Sequence, residues 1–204
     1  MTSSPRRAFP SKPSKRSWLA PAVALLTFLC VAPALGATCD DVAFPDSAPA
    51  GGSLVLNGLG IRKATFLAVH VYVAGLYLPQ KSGDAQKIVA AHQPWEIVMH
   101  FVRDVGASDM RGAFEEGFRK AAGNKFGSLQ DRITALNSRV TDVKKGQTIS
   151  FANDPATGVT MDMAGKSGPA FAGEDFSTAL LAIWIGAAPP NPDLKSGMLG
   201  GKCE

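Results

Sequence analysis

"LNGLGIRKATFLAVHVYVAGLYLP", residues 56–79, is the stretch on which the fold turns. Apolar and β-branched residues crowd it, the composition of a strand that packs on a pleated, half-buried surface. Ser53–Asn57 and Ile61–Leu78 read as strands, with a turn at Gly58–Gly60. Arg62 stands near the entrance, and His70 and Tyr72 stand inside. A guanidinium is charged at every physiological pH, so its place beside the most strand-like part of the chain calls for a partner.

Downstream, "DAQKIVAAH" (84–92) reads as a short helix capped by Asp84, and Trp95–Arg103 as a strand with Trp95, Ile97, Met99 and Phe101 on one face. Residues 107–123 are helical, because Met110, Phe114 and Phe118 recur every fourth residue and Gly123 is a natural stop. Residues 128–140 follow as a second helix. "GQTISFAND" and "TGVTMDMAG" form a hairpin around Asp154–Pro155, and "EDFSTALLAIWIG" (174–186) is a last helix with Trp184 in its core. This order argues for an α+β fold with helices on one face of an antiparallel sheet.

The N-terminus reads as an export signal. Residues 1–37 carry Arg6, Arg7, Lys12, Lys15 and Arg16 and no acid, followed by an apolar run from about Trp18 to Val31 and a small-residue end. Cleavage is expected near Gly36 or Ala37, giving a periplasmic or secreted protein with no stable membrane span; Pro21, Pro33 and the shortness of the run argue against an anchor. A lead-in (38–52), rich in Pro and Gly from Phe44 onward, and one domain (53–204) remain. Taking five bases from 21 leaves 16 Lys and Arg against 17 Asp and Glu, so no basic patch for nucleic acid survives. Cys39 and Cys203 are then the remaining cysteines and are expected to pair in an oxidising compartment; two free thiols, or lipidation of Cys39, are the alternatives. Neither has a Cys or His at ligand spacing, and His70, His92 and His100 show no paired spacing, so no metal and no cofactor is expected.

"NGLGIR", a strand ending "VAGLYLP" and the late "DFSTALLAIWIG" resemble the chalcone isomerase-like domain, in its bacterial exported branch, over about residues 53–200. The resemblance implies an open-faced β-sandwich, a large curved antiparallel sheet with helices layered on one face and a ligand cleft between. It implies that Arg62 projects into that cleft and grips an anion: a phenolate in the plant enzymes, a carboxylate in fatty-acid-binding relatives. An arginine at a strand edge, or one paired with Asp104, is the plainer alternative. Tyr72 stands where the enzymes carry threonine, and Ser177, with Thr178 beside it, matches a hydroxyl early in the last helix. A Ser177 that bonds its own helix backbone is the alternative. The tyrosine and asparagine that the enzymes place on the helix after the central strand fall near Ser108 and Glu115, neither of the expected type. His70 shares strand parity with Tyr72 and so would reach the cleft mouth.

These departures remove most of the donors that ring closure of a chalcone would use. The expected function is non-catalytic binding of a small apolar ligand with an anionic head, of fatty-acid or phenolic type, anchored by Arg62 with Tyr72, Ser177, Thr178 and His70 as helpers. Arg62 would be catalytic only if the protein is an intramolecular lyase acting on a phenolic or enone substrate. A partner-binding envelope protein with a vestigial cleft is the third reading.

Overall fold

The computed structural model describes residues 1–2, 36–65 and 67–204; nearly all of the expected signal segment lies outside the described residues. A short hairpin opens the domain, β1 (Ala37–Cys39) and β2 (Val42–Phe44). A six-stranded antiparallel meander follows in simple chain order: β3 (Val55–Ala64), β4 (Val69–Leu78), β5 (Trp95–Phe101), β6 (Thr148–Asp154), β7 (Gly158–Met163) and β8 (Lys166–Ser167). Helix α1 (Ala85–Ala90) links β4 to β5, and α2 (Ala107–Ala122) and α3 (Phe126–Arg139) fill the connection from β5 to β6. After the sheet come α4 (Glu174–Ile185) and α5 (Pro192–Met198).

One face of the sheet carries the main core. Leu76, Ile97, Phe101, Phe151 and Met161 meet Phe114 and Phe118 of α2, Leu129 and Ile133 of α3, and Phe176, Leu180 and Trp184 of α4. Burying each such side chain contributes about 1.5–3 kcal/mol. The every-fourth-residue pattern of α2 is this buried face. Helix α4 is instead buried nearly all round, from Phe176 to Ile185, as befits a helix roofed by its neighbours. On β6, Ile149 and Phe151 are buried while Ser150 and Ala152 are partly exposed, so this half of the sheet is open on its second face.

The second face of β3–β5 is covered by the segment expected as a lead-in. Cys39, Phe44, Ala48 and Leu54 pack there on Leu59, Ile61, Val73, Tyr77 and Val98. Beneath them Glu96 is 1 % exposed; its Oε2 accepts a hydrogen bond from the Ala50 N–H at 3.1 Å, its Oε1 has no partner among the described residues, and burial pushes its carboxyl above the usual carboxylate range. Cys39 and Cys203 are joined as a disulfide, with Cα atoms 6.0 Å apart across 164 positions of sequence.

The predicted turn at Gly58–Gly60 is not a turn. Both glycines lie inside β3, and the chain reverses later, at Thr65–Ala68. Their lack of a side chain serves close approach instead: a Cβ on Gly60 would strike the Leu194 carbonyl oxygen, and one on Gly58 the Gly197 carbonyl oxygen. Helix α5, unassigned from sequence, therefore rests directly on the β3 backbone. Gly60→Ala is expected to lower stability by about 3 kcal/mol by overpacking. A thermal melt checks this, with a drop of about 6–12 °C expected.

Candidate functional site

A cleft of about 570 Å³ opens between the β3–β5 end of the sheet and the helices. Its volume falls in the range of small-molecule sites. Val71, Met99, Met110, Phe114, Ile183 and Trp184 make most of the apolar wall, and the Ala188–Pro190 segment closes one side. Arg62 and Tyr72, neighbours in the register of β3 and β4, both line it.

Arg62 is half-buried, and its Nη1 donates to the Lys63 carbonyl oxygen and to Asn191 Oδ1, the latter at 3.0 Å. Among the described residues no carboxylate lies within ion-pair distance of it. Asp104 takes Lys144 as its partner at 3.0 Å, and Glu116 takes Lys120 at 2.6 Å. The Asp104 pairing that the sequence left open is thus not formed. Exposed Arg103 stands at the same mouth, also without an ion-pair partner among the described residues.

Tyr72 is 8 % exposed, and the Trp184 indole N–H donates to its hydroxyl oxygen at 3.1 Å. Burial pushes the phenol up to about 12, against the smaller opposing effects of the Trp184 bond and the Arg62 charge. It therefore remains a protonated donor at any physiological pH. Because indole can only donate, the tyrosine oxygen is the acceptor in this pair. Its own O–H has no acceptor among the described residues. Trp184, expected as plain core, thus orients the hydroxyl; the signal for this was the habit of buried indoles to find a partner.

The other expected residues lie elsewhere. Strand parity put His70 on the cleft side with Tyr72, but the register slips at Val71: Arg62 faces Tyr72 while Lys63 faces His70. This bulge turns His70 away, and its Nδ1 lies 2.9 Å from Asp40 Oδ2 in the β1–β2 turn. His70 and His100 do not face each other, since His100 faces Val73. Ser177 and Thr178 line a separate hollow of about 170 Å³ at the start of α4, with His92, Asn153 and Thr157. Ser177 Oγ donates to the Glu174 carbonyl oxygen at 3.2 Å, the local bond that was its alternative reading. The carboxylates that α2 brings to the lining are Asp109 and Glu116, one position beyond the expected Ser108 and Glu115. Lys120 beside it holds the Glu116 carboxyl below the usual carboxylate range. Among the described residues no group of three or more His, Cys, Asp or Glu is placed to hold a metal ion, and no helix is long and apolar enough to cross a membrane.

A family model described as chalcone isomerase-like matches residues 36–200. Among solved structures, the chain is similar to the crystal structure of a fatty-acid binding protein of Arabidopsis thaliana, with a TM-score of 0.64 and 19 % identity over 78 % of this chain and 92 % of that one. No curated protein matches the sequence.

Proposed function

We propose that this chain, which belongs to the chalcone isomerase-like family, is an exported binder of a long apolar ligand with an anionic head, a fatty-acid-type carboxylate. The observation that carries this reading is the pairing, in one apolar cleft, of a guanidinium that among the described residues has no carboxylate within ion-pair distance with a phenol whose proton likewise has no acceptor there. Two such donors suit a carboxylate head, and the Met99, Met110, Phe114 and Ile183 wall suits a hydrocarbon tail. The fatty-acid-binding neighbour supports the same ligand class. A ring-closing lyase would meet developing enolate charge with several placed neutral donors, and α2 carries no tyrosine or asparagine to add to Tyr72. That disfavours plant-type isomerase chemistry.

The arrangement of the chain fits export: residues 1–37 as a cleaved signal, 38–52 as a lead-in and 53–204 as the binding domain, held by a disulfide. A chain recovered from its host that begins at Ala37 or Thr38 supports this, and a full-length one contradicts it. Calorimetric titration with palmitic acid and with hexadecanol tests the binding. The acid is expected to bind the more tightly, and Tyr72→Phe to weaken it about tenfold by removing one hydrogen bond to a charged group. Absence of binding, or equal affinity for acid and alcohol, would overturn the reading.

A further inference from the structure

We propose that Asn191 sets the charge selectivity of the cleft, by fixing the Arg62 guanidinium with a neutral oxygen; this rests on the cleft being a site for an anion-headed ligand. Asn191 is the N-cap residue of α5, flanked by Pro190 and Pro192, with extended backbone at φ −145° and ψ 138°. A following proline confines it to that region. An N-cap asparagine ordinarily accepts from an N–H of its own first turn. Asn191 makes no such bond. Its Oδ1 is turned outward from the helix and accepts from Arg62 Nη1 at 3.0 Å and from the Lys63 backbone N–H at 2.9 Å. A local rule is broken here, which is characteristic of functional positions.

Nη1 is thereby committed to Asn191 Oδ1, with the Lys63 carbonyl beside it. Among the described residues Nε–H and both Nη2 hydrogens make no bond, and that edge of the guanidinium can take a carboxylate through two parallel bonds. Identity matters as much as position. Two other arginines are held by carboxylates, Arg132 by Asp175 at 2.6 Å and Arg119 by Glu115 at 2.8 Å, whereas Arg111 and Arg139, like Arg62, are held by neutral carbonyl oxygens. An aspartate at 191 could make the same two bonds but would neutralise Arg62. The amide holds the group and leaves its charge for the ligand.

The test compares wild type, Asn191→Asp and Asn191→Ala with palmitic acid and hexadecanol as probes. Asn191→Asp is expected to keep its melting temperature and its hexadecanol affinity, while the advantage of the acid over the alcohol falls at least tenfold. An aspartate variant that keeps the full advantage would overturn the proposal while leaving the cleft reading intact. Wild type that binds neither probe would instead sink the cleft reading and the selectivity with it. Guanidinium nitrogen NMR of the ligand-free protein decides the positioning separately. Resolved, slowly exchanging Nη1 and Nη2 signals of Arg62 are expected in wild type and averaged ones in Asn191→Ala; signals resolved alike in both would contradict the positioning role.

Discussion

Replacing Arg62 with glutamine is expected to weaken binding of a long-chain fatty acid about 100-fold, because hydrogen bonds to a charged group are each worth about 1.5–3 kcal/mol and one decade of affinity is about 1.4 kcal/mol. The loss is largest at this position for a structural reason. Arg62 is the half-buried cation of the cleft, whereas Arg103 at the mouth is exposed and Lys120 is already paired with Glu116. Water competes least where the group is least exposed, so the Arg62 pairing is the least screened. Stability should change little. Arg62 makes no ion pair among the described residues, and a glutamine amide can still offer a hydrogen toward Asn191. Titration and a thermal melt on the same variant separate the two effects: retained melting with lost binding is the expected pair. Binding within threefold of wild type would mean that the head group is held elsewhere.

The second large effect concerns the ends of the domain. Replacing Cys39 and Cys203 together with serine is expected to cost about 3–5 kcal/mol, since closing a loop of this length removes roughly 5 kcal/mol of denatured-state entropy in the chain-entropy model and less is usually delivered. In a domain of this size that is a fall in melting temperature of about 6–20 °C. The folded state contributes too. Cys39 is buried against the second face of the sheet, and the bond ties that hairpin to the segment after α5. Calorimetry with and without reductant measures it, and a change below about 1 kcal/mol would indicate an unfolded chain already restrained by other contacts.

The elements with strong periodicity were legible before any coordinates. Met110, Phe114 and Phe118 declared the buried face of α2, and the Asp154–Pro155 hairpin was readable from its turn residues. Arg62 and Tyr72 line one cleft because directly paired antiparallel neighbours share a face, although the sequence reads Ile61–Leu78 as one strand. What escaped depends on distant or local irregularity. A glycine in a strand pattern signals either a turn or a close approach, and only α5, more than a hundred residues later, decides between them for Gly58 and Gly60. The bulge at Val71 has no sequence signature, yet it reverses His70. Helix α4 is apolar on all sides, so its periodicity could not tell that Trp184 faces the cleft while Ser177 and Thr178 face another hollow. A one-residue error on α2 is a rotation of about 100°, enough to exchange Glu115 for Glu116. Asn191 carries no pattern at all; only its unmade cap reveals it.

The most direct measurement is carbon NMR of palmitic acid labelled at its carboxyl carbon, bound to the protein and titrated with acid. An adjacent guanidinium lowers the pKa of a carboxylate. The expected result is a distinct bound resonance that stays in its ionised position down to about pH 4, where an ordinary carboxyl is already more than half protonated, and that is lost in Arg62→Gln. A bound resonance that titrates like the free acid and is untouched by the Arg62 substitution, or no bound resonance at all, would contradict the carboxylate cleft.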